Sequence, residues 1–592
     1  MDSSNLIDVK QSFPKRHLVY SDSCHLIEWP LYDEETGPLI QTKFIRPITC
    51  QRPTIEIVRF NYTWIHIPAI RHDSRLRCYA NEIFHNHGDD YKLGLEIVSI
   101  HNEYTEFPHS NALRIDCYKW MKAYGIKMKQ LAKIESTIIP LIPFKKKKKT
   151  KRRKKRKRID KMPNVLMLGI DSISWLNFRR YFKRTETFLS SNGFIPLYGF
   201  TKVGDNTFPN MMATLTGKHY TNYWNASIDY DMRFDSIPIV WKRFSKLGYL
   251  TSLIEDMPAY SLFNYGRNGF QHSPVDYYLR PVSVMIDNDL NNGYCYKDKL
   301  TMEYYYSWIL DHSTAMRDRM QPFFTFSHMA DLTHNLYWNA ANADRPLFHL
   351  LRSLFERQIH RNTLIIVFSD HGIRFGKLRN TKSGHIEERL PFIYVYVPEH
   401  FNLNVNESKM ALGINRHRLT CHFDLHATLR HIVEPNEPID DEPYGRSLLR
   451  PIPFNRTCES AGISENWCLC YRYDRYDGDQ QTRSTLSQFV LSQINHLLRD
   501  EKRCAQLKLK RLEQILIRTD PPSSQIDGTQ MFRLQIRLRP GGGLFDATVR
   551  MNASSSISKF KLMGIISRLD KYGNQSKCIH NSILEKYCFC IK

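Results

Sequence analysis

Long hydrophobic runs are missing from this chain of 592 residues. Nowhere do about 18 apolar residues follow one another, the length that a membrane-spanning helix needs. The opening MDSSNLIDVKQSFPKRHLVY has no apolar core of a secretory leader. No Cys-x-x-Cys pair occurs, which argues against a thiolate zinc site. Zinc-finger and RNA-binding signatures are absent as well. The one dense basic run, Lys145 to Arg158 (KKKKKTKRRKKRKR), has no aromatic residue interleaved and no acid. Its thirteen positive charges account for much of the net +24, leaving +11 over the rest of the chain. Such a run repels itself and buries nothing, so it reads as a solvated linker rather than a nucleic-acid tail. Nucleic acid is therefore disfavoured as a partner.

What is present points to large folded units. Hydrophobic residues make up 42% and aromatic residues 12%, enough for a sizeable core in two to four domains. Thirteen cysteines stand out. Cys458, Cys468 and Cys470 form C-x9-C-x-C, and Cys578, Cys588 and Cys590 repeat the same spacing. Repeated spacings of this kind belong to cystine modules, which form in oxidising compartments. Six N-x-S/T sequons, at Asn61, Asn225, Asn406, Asn455, Asn552 and Asn574, agree with that. An extracellular or secretory-lumen location is expected, with a leader or anchor upstream of this Met1. Membrane association is left open.

The chain turns on LIIVFSDHGIRF, Leu364 to Phe375. A short run of β-formers with an abrupt Gly stop reads as a buried strand of a parallel sheet. Ligands in such sheets bind beyond the carboxyl ends of strands, where Asp370 and His371 would lie. A carboxylate beside an imidazole suits a divalent metal. NVLMLGIDSIS, Asn164 to Ser174, repeats the pattern and ends in Asp171. GDNTFPNMMATLTG, Gly204 to Gly217, reads as a helix capped by Thr207, with Pro209 in its first turn and Gly217 as its stop. A hydroxyl at a helix N-terminus lies in positive potential, which favours an anionic ester or an alkoxide. Val240 to Gly248 predicts a helix, with strands over 249–254, 322–326 and 392–397. After the strand at 322–326, SHMADLTHN places Asp331 and His334 near the same edge. His385, in GHIEERLPF, follows His371 closely enough to return there.

In this order the motifs resemble the alkaline phosphatase and sulfatase superfamily. NVLMLGIDSIS, GDNTFPNMMATLTG, LTHN, SDHGIRFG, GHIEERLPF and the tails CESAGISENWCLC and CIHNSILEKYCFC resemble the metazoan DUF229 family more closely. The likeness runs from about Cys24 to the C-terminus, with the basic run as an insertion. It implies an α/β fold with a three-layer α/β/α core, and metal-assisted hydrolysis or transfer of a phosphate or sulfate ester, which includes one on a glycan or lipid head group. It implies one or two divalent ions (Zn, Mn, Ca or Mg). Asp171, Thr207, Asp370 and His371 match a metal site, with Thr207 as nucleophile. Asp331, His334 and His385 match a second metal or contacts to the substrate. Asp331 and His334 are three apart where two-metal members have four, which is compatible with one tight metal plus histidine contacts to the substrate. Thr207-Phe208-Pro209-Asn210-Met211 keeps the Pro of the formylglycine motif C/S-x-P-x-R but lacks its Cys or Ser and its Arg, so a typical sulfatase is disfavoured.

The expected organisation is an N-terminal β-rich domain (21–140) holding Cys24, Cys50, Cys78 and Cys117, a basic linker (141–162), the catalytic domain (163–450) and a cystine-containing α+β accessory domain (451–592). In the last, 488–517 is expected to be helical and 531–551 β-rich. The segment around Cys421–Leu429, with His417, His422, His426 and His431, is expected to be structural. Two functional readings follow: a metal-dependent phosphoesterase or phosphotransferase, or an inactive relative serving as an extracellular binding module.

Overall fold

The computed structural model describes residues 17–40, 45–122, 129–145, 162–224, 231–289, 293–436, 443–519, 529–552, 559–579, 581 and 583–591. The basic run beyond Lys145 and the sequon at Asn225 lie outside the described residues.

The central unit is built on seven strands: β1 (Asn164–Ile170), β2 (Ile195–Pro196), β3 (Leu250–Glu255), β4 (Tyr277–Tyr278), β5 (Phe323–Met329), β6 (Thr363–Phe368) and β7 (Ile393–Tyr396). Their spatial order is β2-β7-β6-β1-β5-β3-β4. From β6 to β4 the strands are parallel, while β7 and β2 close one side in antiparallel fashion. Parallel strands need crossover connections, and the helices in them cover both faces of the sheet. Every residue of β1 and β6 is accordingly buried.

Alternation along the strands still sorts side chains between two cores. Leu166, Leu168, Ile170, Ile365 and Val367 enter one. There they meet helices α1 (Trp175–Tyr181), α2 (Lys183–Ser191), α5 (Arg280–Asp289), α6 (Thr301–Asp318) and α7 (Ala340–Glu356). Val165, Met167, Leu364, Ile366 and Phe368 enter the other. That core is shared with α3 (Thr207–Thr216), α4 (Val240–Lys246) and α9 (His422–Val433). The result is a three-layer α/β/α sandwich. A further helix, α8 (Lys382–Arg389), leads into β7.

Before it, residues Leu76–Asn86, Asp90–Ile100, Ala112–Lys122 and Lys129–Pro140 form an antiparallel sheet over a core of Ile57, Ile65, Ile67, Leu113 and Ile115. After it, an antiparallel sheet that includes Lys508–Arg518, Thr529–Arg539 and Leu544–Asn552 packs against the helix Gln480–Leu497. The helix expected over 488–517 thus stops at Leu497, and Lys508–Arg518 is a strand. Its pairing with Thr529–Arg539 overrides the helix-forming Lys, Leu, Arg and Gln that suggested otherwise.

Twelve cysteines form six disulfides, and the remaining thiol, Cys421, is buried. Of the four N-terminal cysteines, only Cys78 and Cys117 pair with each other, across facing positions of two strands. Cys24 joins Cys470 and Cys50 joins Cys295, so two bonds tie this region to the rest of the chain. The twin C-x9-C-x-C motifs close differently. The first pairs Cys458 with Cys468 and gives Cys470 to Cys24. The second pairs Cys578 with Cys590 and gives Cys588 to Cys504. No helix among the described residues is long and apolar enough to cross a membrane.

Candidate active site

Register places the acids. In the parallel ladder, Gly169 of β1 faces Phe368 of β6 on one side and His328 of β5 on the other. Two residues further, on the same face by the period of two, come Asp171 and Asp370. This is the face covered by α3, whose first residue is Thr207. Thr207 does not cap its helix. Asn206 takes the N-cap position, in extended geometry, and the Thr207 hydroxyl is left free of that duty. Gly217 ends α3 in the left-handed conformation, as its sequence position suggests.

The side chains of Asp171, Asp370 and His371 offer one ligand atom each within 4.8 Å of one another. His371 Nε2 lies 3.1 Å from Asp370 Oδ2, 3.9 Å from Asp171 Oδ1 and 3.5 Å from Thr207 Oγ1. The Ser172 amide donates to Asp370 Oδ1 at 3.1 Å, and its hydroxyl donates to Asp171 Oδ1 at 2.7 Å. Ser172 achieves both with φ of 62°, a left-handed conformation uncommon for a residue with a side chain. His422 contacts the Asp370 carbonyl through Nε2 at 2.8 Å and Thr214 through Nδ1 at 3.0 Å, which ties Asp370 to α3.

Electrostatics at the cluster are unbalanced. Burial, then the neighbouring Asp370 charge, pushes Asp171 up to about 7. Burial also works against the charge of Asp370. The imidazoles of His371 and His328, the Thr207 hydroxyl and the Ser172 amide outweigh it and hold that carboxyl well below the usual range. Burial drives His371 down to about 3, so its imidazole is neutral at neutral pH. Two buried carboxyl groups thus crowd one imidazole, and Asp370 Oδ2 is buried without a hydrogen-bond partner. An orphaned buried carboxylate oxygen in such a donor set fits a divalent cation.

His328, which the sequence reading counts only among the polar residues of SHMADLTHN, belongs beside this cluster. Its ring is buried, its Nε2 has no hydrogen-bond partner, and that atom is 3.9 Å from Asp370 Oδ2. Gly169 makes the room: a Cβ there would meet the His328 ring at 2.9 Å. The signal in the sequence was a polar residue at an inward strand position, but its meaning depends on the facing glycine.

The other expected residues lie outside this group of ligands. The backbone amides of Ala330 and Asp331 donate to Asp256 Oδ1, while Asp331 Oδ2 is buried without a hydrogen-bond partner and burial raises that carboxyl to about 6. The His334 ring lies against Tyr260, with centroids 4.4 Å apart, close enough to Asp370 to feel its charge. His385 sits on α8 among the charges of Arg389, Arg533 and Arg379. Among the described residues these three do not form a metal-holding group.

The family of proteins of unknown function DUF229 matches residues 40–513. The chain belongs to the DUF229 family. Asp171, Thr207, Asp370 and His371 lie inside the stretch that the DUF229 family shares, and the last strands of the C-terminal sheet lie beyond it. No curated protein matches the chain. Solved structures resemble it distantly. The lipoteichoic acid synthase LtaP from Listeria monocytogenes is 11% identical, with 54% of this chain and 78% of that one covered and a TM-score of 0.34. A protein in the alkaline phosphatase superfamily from Vibrio parahaemolyticus is also 11% identical, covering 72% and 86% with a TM-score of 0.35. Murine ectonucleotide pyrophosphatase/phosphodiesterase 5 is 13% identical, covering 46% and 95% with a TM-score of 0.31. Likenesses of this degree say nothing about the activity of this DUF229 chain.

Proposed function

We propose that this chain is a metal-dependent hydrolase or transferase acting on a phosphate ester, with sulfate the less favoured alternative, and that Thr207 is its nucleophile. The observation that carries the reading is the approach of the Thr207 hydroxyl, at the first turn of a helix, to within 3.5 Å of His371 in the Asp171–Asp370–His371 cluster. Asp171, Thr207, Asp370 and His371 would hold a divalent ion, which when bound lowers the hydroxyl's pKa and offsets charge on the ester oxygens. The Thr207 oxygen attacks phosphorus in line with the leaving alcohol, and its proton departs to solvent. The free amides at the start of α3 receive a non-bridging oxygen. Ser172 and His422 keep Asp370 in place throughout. Water then cleaves the threonyl ester in a second displacement.

The test pairs turnover of p-nitrophenyl phosphate with elemental analysis. Thr207→Ala is expected to lose on the order of a thousandfold or more in rate. Asp370→Ala is expected to lose bound metal as well. Turnover that survives chelation, or is unchanged in Thr207→Ala, overturns the reading. Bound metal with no turnover over a broad ester panel would instead favour a binding module.

The same proposal places the working protein in an extracellular or secretory-lumen setting. Six disulfides and exposed sequons at Asn61, Asn406, Asn455 and Asn574 support this. Glycans released from those sites by a glycosidase are the expected finding, and a reduced, unglycosylated native protein argues against it.

A further inference from the structure

Asp205 lies two residues before Thr207, on the loop that enters α3. Its carboxylate is shared by two cations from distant parts of the chain. Lys586 Nζ reaches Asp205 Oδ2 at 3.0 Å, and an Arg374 guanidinium nitrogen reaches the same oxygen at 3.6 Å. The Ser567 hydroxyl donates to Oδ1 at 3.4 Å, and the Asp205 carbonyl accepts from Lys202 at 3.3 Å. Lys586 and Ser567 belong to the C-terminal region beyond the family match. Arg374 is three residues past His371, the imidazole that neighbours Thr207. The guanidinium is thus bracketed between the nucleophile's loop and the metal-site loop, and its side chain keeps 15% of its surface exposed.

Charge decides what this arrangement does. Were Asp205 paired with Arg374 alone, the two would cancel. Lys586 claims the same carboxylate, so the trio carries one net positive charge. Other carboxylates nearby are taken: Glu388 by Lys202 and Arg389, Asp546 by Arg533 and Arg389. The surplus lies beside the reacting groups, since Asp205 is two residues before Thr207 and Arg374 three residues past His371. A metal ion would offset Asp171 and Asp370, leaving Arg374 as the cation for an incoming anion. A guanidinium suits a tetrahedral oxyanion, offering paired N–H donors.

We propose that Arg374 grips the non-reacting oxygens of the phosphate group and that Lys586, by sharing Asp205, is a positioning residue that keeps Arg374 in place with its charge uncancelled. The C-terminal cystine module is then part of the active site. Two disulfides, Cys504–Cys588 and Cys578–Cys590, bracket Lys586 and present it to Asp205. This inference rests on the phosphoesterase reading for its substrate class.

The test uses the full-length, metal-loaded protein and inorganic phosphate as the probe, followed both by competition with p-nitrophenyl phosphate and by calorimetry. Arg374→Gln should weaken phosphate binding tenfold or more, with partial recovery in Arg374→Lys. Lys586→Met should weaken it roughly three- to tenfold, raising KM more than it lowers kcat, and Lys586→Arg should recover it. Metal content should stay at the wild-type value in all four. Phosphate affinity within twofold of wild type in Arg374→Gln overturns the grip, and the same result in Lys586→Met overturns the positioning role. A wild type that binds phosphate but turns over no ester, with binding lost in Arg374→Gln, leaves the clamp standing and removes the hydrolase reading. Should Lys586→Met not fold, Lys586→Gln carries the same expectation.

Discussion

Asp171 and Asp370 are neighbours in a buried place where only one of two carboxylates holds its charge easily. A bound cation relieves that conflict, so metal removal should be felt as lost stability. At a free metal concentration a hundredfold above its dissociation constant, linkage is worth about 2.7 kcal/mol. Calorimetric unfolding with and without chelator should therefore show a lower Tm without metal, and Asp370→Ala should abolish the difference. A second residue reports on pH. Glu255 is buried, and that burial pushes its carboxyl up to about 7, despite the Leu262 amide bonded to it. A carboxyl raised in the folded state binds its proton more tightly there than in the unfolded chain. Its contribution is thus fully present below the unfolded value, near 4.5, and is lost as pH rises through about 7. The span corresponds to about 3 kcal/mol. Chemical denaturation from pH 5 to 8 should show stability falling in wild type, and Glu255→Gln should flatten that fall.

Helix α8 shows how one short element serves two layers at once. Its consecutive acids part ways. Glu387 binds Arg180 at 2.7 Å with both side chains fully buried, and it accepts the Ser174 hydroxyl at 2.7 Å. Glu388 goes to Lys202 and Arg389. Breaking one partner of a buried pair strands the other charge, at a cost of about 3–5 kcal/mol. Glu387→Ala should lower unfolding stability by that order, read from denaturant midpoints. The loop after β6 packs just as closely. A Cβ on Gly372 would meet the Glu387 carbonyl at 2.0 Å, and the backbone cannot yield that far cheaply. Gly372→Ala should shift the α8 segment and weaken metal binding, with elemental analysis showing less metal per chain. GHIEERLPF, read from the sequence as a carrier of the site residue His385, is also an ion-pair hub. Its motif was visible, but its partners Arg180 and Asp546 are 207 residues upstream and 157 downstream of the acid and arginine they meet.

At the scale of the whole molecule, the disulfides connect regions that the sequence suggested were separate. Cys24–Cys470 and Cys50–Cys295 span 446 and 245 residues. A cross-link that closes a long loop stabilises mainly by restricting the unfolded chain, and removing one costs about 2–5 kcal/mol. The Cys24→Ser/Cys470→Ser double variant should therefore melt lower than wild type, with little change in metal content, since neither cysteine adjoins the cluster.

Hydrophobic runs with abrupt polar ends were enough to place β1, β5 and β6 to within a few residues and to put acids at two of their tips, because a doubly covered parallel strand has to be apolar along its length. The positions of Asp171, Thr207, Asp370 and His371 near a common rim were legible in the same way, through strand ends and a helix start. Strand order, register and cystine pairing were not legible, because each depends on contacts between segments far apart in the chain. That is why His328 facing Gly169, the Asp331 amide meeting Asp256 and Lys586 reaching Asp205 emerge only from the fold. Local periodicity is written into neighbouring residues, whereas electrostatic partnership is decided by packing.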